Sequence, residues 1–211
     1  MKCETSEAAI EIPVDHLPVM ESFYSIQGEG FHQGKAAYFI RLAGCDVGCH
    51  WCDVKESWDE TDHPVQSVGQ LVEDIGCEVE IVVITGGEPT MYDLSHLCEH
   101  IGNRKIALHL ETSGTNPLTG NWDWICFSPK KFKIPLKEYY ARADELKVII
   151  YNESDFAWAE SHIVQVNPAC KLYLQPEWSK ESQIAPMIID YIKENPQWRI
   201  SLQIHKYLNV P

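Results

Sequence analysis

Apolar runs recur along the chain, each ending in a polar junction, and several are followed by a stretch with helical spacing. The clearest is "VEIVVIT" (79–85), where β-branched residues at successive positions present apolar groups to both faces. That pattern belongs to a strand buried on both sides, as in a parallel sheet. "KIALHLET" (105–112), "WDWICFS" (122–128), "ELKVIIY" (145–151), "KLYLQP" (171–176) and "WRISLQIH" (198–205) continue the series. The spacing of apolar residues predicts helices over 67–76, 94–102, 154–163 and 181–193, the first with Ser67 as its N-cap. Strands alternating with helices predict an α/β fold on a parallel sheet. The strands are too few for a closed eight-stranded barrel, which takes about 250 residues, so a partial, open (β/α) barrel is expected. No repeat, low-complexity tract or linker interrupts the chain, and residues 1–211 are expected to form one domain. Ligands of such sheets gather at the carboxyl ends of the strands. The junctions "QGEG", "CDVGCHWCD", "TGGEP", "ETSGT", "SPKK" and "LQPE" would all stand there.

Composition narrows the class of protein. Apolar residues make up 45% of the 211, with seven Trp and nine Tyr, enough for a substantial core and too many for a disordered chain. Seventeen Lys and Arg against 31 Asp and Glu leave a formal charge of −14, which repels phosphate backbones and anionic membranes. Neither nucleic acid nor membrane is an expected partner. Met1 to His16 carries Glu4, Glu7, Glu11 and Asp15 without an apolar core, so it is not a signal peptide, and no apolar run is long enough to span a bilayer. A cytoplasmic location is expected. Cys3, Cys77, Cys98, Cys126 and Cys170 are scattered, four of them in apolar sequence, and read as free thiols rather than disulfide partners.

The other three cysteines, Cys45, Cys49 and Cys52, crowd into "CDVGCHWCD" (45–53). A structural zinc takes four protein ligands and disulfides take an even count, so three is an unusual number. Three thiolates on one short loop can surround one face of a [4Fe–4S] cube, which ordinarily takes four. One iron is then left open to a small molecule, as at an open catalytic metal site. Spacing alone also admits zinc, with His50 or a distant Cys as the fourth ligand, in a binding module without catalysis.

The Cys-x3-Cys-x2-Cys pattern with an aromatic, here Trp51, before the last Cys resembles the radical S-adenosylmethionine (SAM) superfamily. The resemblance implies that SAM chelates the open iron through its amine and carboxylate. It continues in order along the chain. "TGGEP" (85–89) is similar to the Gly-Gly-Glu motif, where Gly87 and Glu88 would meet the methionine ammonium. "ETSGT" (111–115) would bring Glu111 or Ser113 to the ribose. "SPK" (Ser128, Pro129, Lys130) and "LQPE" (Gln175, Pro176, Glu177) would wall the adenosine. Glycines after a strand let backbone approach a ligand closely, and a carboxylate suits a cation.

The flanks carry a narrower resemblance. "FYSIQGEG" (23–30), "YFIRLAGC" (38–45) and "LQIHKYLNVP" (202–211) are similar to the 7-carboxy-7-deazaguanine synthases of queuosine and 7-deazapurine biosynthesis, from about residue 19 to the end. Residues 1–18 would then be an N-terminal extension and 19–211 the radical SAM core. The resemblance implies a substrate, 6-carboxy-5,6,7,8-tetrahydropterin, which the 5′-deoxyadenosyl radical attacks at C6. Ring contraction and loss of ammonia give 7-carboxy-7-deazaguanine, and SAM is regenerated. The substrate would meet Ile26, Gln27, Gly28, Arg41, Thr85 and the terminal Pro211. Arg41 also suits the role chemically, because a guanidinium pairs bidentately with a carboxylate, and the amide of Gln27 suits a pterin edge. Glu29 reads as a turn residue and His205 as a structural histidine.

The family resemblance further implies a homodimer and a reducing partner such as flavodoxin. One position departs from it. The family usually carries Thr or Ser directly after the last Cys-Asp, with its hydroxyl reaching Mg2+, whereas this chain has Val54. Valine offers a hard cation no oxygen. Either water and substrate alone hold Mg2+ or the enzyme works without it, and the second is the expectation. A glycyl-radical-enzyme activase would share the cysteine loop but would leave "IQGEG" and "HKYLNVP" unexplained.

Overall fold

A computed structural model describes residues 13–211. Cys3 and residues 1–12 of the segment read as an extension lie outside the described residues.

The chain forms an open nine-stranded sheet in the order β3-β1-β2-β4-β5-β6-β7-β8-β9. Its parallel part comprises β2 (Ala36–Leu42), β4 (Ile81–Gly86), β5 (Ala107–Thr112), β6 (Trp124–Phe127), β7 (Glu145–Ile150), β8 (Lys171–Pro176) and β9 (Trp198–Ile200). β1 (His16–Ile26) and the short β3 (Val65–Ser67) add an antiparallel edge, so the sheet is mixed rather than purely parallel. β1 begins at His16, which moves the start of the core ahead of residue 19.

Alternation along each strand sorts the side chains onto two faces. One face packs under helices in two clusters. Ile40, Leu42, Val82, Ile84, Leu108 and Leu110 meet α1 (Val68–Asp74) and α2 (Ser95–Gly102). Ile125, Phe127, Leu146, Val148, Ile150 and Leu174 meet α3 (Lys137–Arg142), α4 (Ser154–Ile163) and α5 (Glu181–Glu194). The predicted N-cap is present: the Ser67 hydroxyl accepts from the Gln70 amide at 3.2 Å. The other face carries Ala37, Phe39, Ile81 and Val83 near its base and polar groups toward the strand ends.

The predicted strand over 198–205 is corrected. Only Trp198–Ile200 pair with β8, and the chain then turns into a short helix, α6 (Ile204–Leu208), ended by left-handed Asn209. The apparent strand alternation of "SLQIHKY" serves a different need. It brings Gln203, His205 and Lys206 to the cavity, and the Ile204 amide bonds the Gly28 carbonyl at 3.0 Å. Cys98, Cys126 and Cys170 are buried free thiols as expected, whereas Cys77 is exposed.

Candidate active site

The strand ends open into a cavity of about 480 Å³. Cys45, Cys49, Cys52, Trp51, Gly87, Glu88, Glu111, Ser113, Ser128, Lys130, Gln175, Pro176, Glu177, Ile26, Gln27, Gly28, Arg41, Thr85 and Pro211 all line it. Pro129 alone among the expected residues is buried outside the lining.

The cysteine loop is anchored at both sides. The Gly44 amide bonds Ser57 O at 2.7 Å and the Cys45 amide bonds Trp58 O at 3.2 Å. The Tyr92 hydroxyl donates to Glu60 Oε2 at 2.5 Å and lies 2.9 Å from Ala43 O. Burial raises the Cys45 thiol against the amides of Val47 and Gly48, which point at its sulfur. Burial pushes the Cys49 thiol up to about 11 against the opposing Lys130 ammonium. Among the described residues, no three Cys, His, Asp or Glu side chains converge on one point as the ligands of a single ion do. The ring of His50 packs edge-on against Phe132 and Tyr151. Three thiols spaced about a cavity wall, with amide hydrogen bonds to sulfur, fit a multi-iron cluster better than one zinc ion.

The Gly-Gly-Glu turn locks this loop to the sheet. A Cβ on Gly87 would collide with the Gly44 carbonyl, and Gly86 sits at φ 143° against the Leu42 backbone, so only glycine fits either place. The freed approach gives Gly87 N to Leu42 O at 3.0 Å and Glu88 N to Gly44 O at 2.8 Å. The Glu88 side chain itself is 1% exposed. Its carboxylate accepts from Thr90 N (3.2 Å), Thr90 Oγ1 (2.6 Å), Thr112 Oγ1 (2.5 Å), Ser113 N (2.8 Å) and Ser113 Oγ. Five donors fill a carboxylate. Glu88 can therefore meet a ligand only through its backbone, and Ser113 is drawn into the same knot.

Several other expected ligands have structural partners. Gln27 donates to Glu111 Oε1 at 2.8 Å and accepts from Glu29 N at 3.0 Å, so its amide braces the wall rather than awaiting a pterin. Glu177 caps a 3-10 turn through Ser179. Lys130 donates to Ser128 O and Oγ at 2.7 and 2.5 Å. Arg41 gives its Nε to Glu21 at 2.7 Å, leaving the fork of its guanidinium for a ligand.

The structure also adds residues that the sequence reading passed over. Glu29 and Lys147 form a buried ion pair, and Lys147 reaches Glu111 at 3.3 Å. Gln203 donates to Glu29 at 2.8 Å, and Lys206 pairs with Asp53 beside Val54. His205 stands on Gly28, where a Cβ would strike its ring, and burial lowers its pKa. A lysine inside the apolar run "ELKVIIY" was the available signal: a charge in a strand buried on both faces must have a partner.

Residues 39–149 match the Radical SAM superfamily model. The 7-carboxy-7-deazaguanine synthase of Flavobacterium psychrophilum is 54% identical to this chain, covering 92% of it and 93% of the relative. That of Synechocystis is 51% identical over the same shares. The chain belongs to the 7-carboxy-7-deazaguanine synthase family. A crystal structure of QueE from Escherichia coli is similar as well, with TM-score 0.78, 28% identity, and coverage of 89% of this chain and 94% of that one. Membership makes it a radical SAM enzyme that takes a [4Fe–4S] cluster and SAM, on the partial, open barrel expected. Among the described residues, no helix is long and apolar enough to cross a membrane.

Replacing Glu88 by Ala leaves several buried donors unpaired, at about 1–3 kcal/mol each. Both the thermal unfolding midpoint and the iron content after anaerobic reconstitution are expected to fall. An unchanged midpoint with full iron would show that Glu88 is not the brace described.

Proposed function

We propose that this enzyme converts 6-carboxy-5,6,7,8-tetrahydropterin to 7-carboxy-7-deazaguanine with release of ammonia, in queuosine or 7-deazapurine biosynthesis. The observation that carries the reading is one cavity wall that joins three cysteine thiols to a carboxylate-pairing arginine and Pro211. When bound, the cluster and SAM supply the 5′-deoxyadenosyl radical; the chain's residues bind, orient and exclude water.

Cys45, Cys49 and Cys52 are proposed to hold the cluster, with the backbone at Gly87 and Glu88 toward the methionine end of SAM. Trp51, Ser128, Lys130, Gln175, Pro176 and Glu177 wall the adenosyl side. Arg41 is proposed to take the pterin's carboxylate, and Ile26, Gly28, Thr85 and Pro211 to frame the ring. Glu111, with 23% of its side chain exposed against 4% for the Lys147 beside it, presents its carboxylate to the cavity. Acceptor-only, it suits N–H groups of the pterin better than ribose alone would require. Phe23, Phe39, Val47 and Ile149 supply an apolar lining that keeps water out. A reducing partner such as flavodoxin and a homodimeric state belong to the same proposal. The direct test is anaerobic reconstitution with iron and sulfide, then SAM, reductant and the pterin, with product and ammonia measured. A colourless, zinc-loaded protein without turnover would overturn the reading.

Three expectations follow from the assigned roles. Arg41→Ala removes a charge-assisted pair worth on the order of 1.5–3 kcal/mol, so pterin affinity should fall roughly ten- to hundredfold while iron content holds. An unchanged Michaelis constant removes Arg41 from the site. The Pro211 carbonyl oxygen accepts from Ser25 Oγ at 2.8 Å, fixing the terminus at the cavity rim. Deleting Val210–Pro211 should therefore cripple turnover with iron content intact, and full activity would show the terminus to be a passive tail. Val54 brings no oxygen to the site, and turnover is expected to be independent of added Mg2+. Strong activation in an Mg2+ titration would refute that.

A further inference from the structure

The cavity floor holds one cation between two anions. Lys147 projects from β7 into the lumen with 4% of its side chain exposed. It pairs with Glu29, from the loop after β1, and lies 3.3 Å from Glu111 on β5. Gln27 holds the other Glu111 oxygen at 2.8 Å, and Gln203 of the segment before α6 holds Glu29 at 2.8 Å. Cys126 from β6 and Glu145 from β7 also face Lys147, with Lys130 and His205 beyond them.

We propose that Lys147 is a positioning residue that cancels the charge of Glu29, leaving Glu111 as the one oriented anionic acceptor for the substrate. This rests on the cavity being the pterin site and deepens that reading. A carboxylate has about four acceptor positions. On Glu111, Gln27 and Lys147 take one on each oxygen, and what remains faces the cavity. Such a group accepts from the amino and ring N–H edge of a pterin and repels the pterin's own carboxylate. The ring is thereby turned so that its carboxylate lies toward Arg41. Without Lys147 the floor would carry two adjacent like charges, and a second uncompensated anion would oppose an anionic substrate. Burial would raise the Glu29 carboxyl, and Lys147, with Gln203, brings it instead to about 2. The surrounding acids hold the Lys147 ammonium well above its ordinary value against the opposite pull of burial.

The test is calorimetric titration of carboxytetrahydropterin into anaerobically reconstituted, SAM-loaded wild type, Lys147→Met, and Lys147→Met/Glu29→Gln. The single variant should bind on the order of ten- to hundredfold more weakly, with normal iron and sulfide content. Its deficit should shrink as pH falls, because a proton shared by the two carboxylates replaces the missing cation. The double variant, which restores the charge balance, should return to within about threefold of wild type. A merely packing role would give neither the pH-dependent recovery nor the rescue. Wild-type affinity in Lys147→Met, or a double variant as weak as the single, overturns the inference. If Lys147→Met does not fold, the double variant decides: near-wild-type affinity supports the proposal and weak binding overturns it. A wild-type enzyme that cleaves SAM but does not bind the pterin overturns both this inference and the substrate reading. Normal wild-type binding with unresponsive variants overturns the inference alone.

Discussion

The architecture of the site depends on one buried carboxylate. Glu88 lies just past β4, yet its hydrogen bonds run to Thr90 in the following turn and to Thr112 and Ser113 at the end of β5. Two parallel strands have no hydrogen bonds beyond their last paired residues, and their ends would otherwise diverge. Here the acceptor ties them together in a place that water does not reach, where an unpaired charge would be prohibitive and a fully paired one is rigid. Because the backbone of Gly87 and Glu88 is bonded to Leu42 and Gly44, the same knot fixes the start of the cysteine loop. The cysteine loop, the Gly-Gly-Glu turn and the ends of β4 and β5 thus share one anchor.

Around that anchor the charges are sorted. The chain is strongly acidic, but Arg41, Lys130, Lys147 and Lys206 all reach its cavity. Each has an internal oxygen partner: Glu21, Ser128, Glu29 with Glu111, and Asp53. The cavity therefore gathers partnered cations within a negative molecule, and low-dielectric walls strengthen its internal fields. A ligand bearing both a carboxylate and N–H donors matches this sorting from end to end, whereas the outer surface discourages polyanions.

Much of this was legible in the amino-acid order. The β-branched runs at 79–85 and 145–151 could hardly be anything but buried strands, and the junction after the first, Thr85 to Glu88, lines the cavity as a parallel sheet requires. What escaped was decided by partners distant in the chain. Gln27 looks free in "IQGEG" until Glu111 is placed beside it. Glu29, between two glycines, looks like a turn until Lys147 arrives from β7. Residues 204–208 follow a strand-like alternation, yet they coil because β9 ends at Ile200 and Gly28 offers its carbonyl to Ile204. Local periodicity cannot register a contact whose other half lies 84 or more residues away.

Those distances divide the site into two parts with unequal dependence on the finished fold. The three cysteines fall within a single short loop, so the chain segment that carries them is complete almost as soon as it is made. The floor closes only when Gln27 finds Glu111, 84 residues on, Glu29 finds Lys147, 118 on, and Gln203, 174 on. Contacts of such separation carry large loop-closure costs and form late. The Gln203 contact also adjoins the last short helix and is lost when that helix opens locally. The polar floor is therefore a property of the whole closed chain, and it fails earlier than the cysteine loop in a partly unfolded molecule.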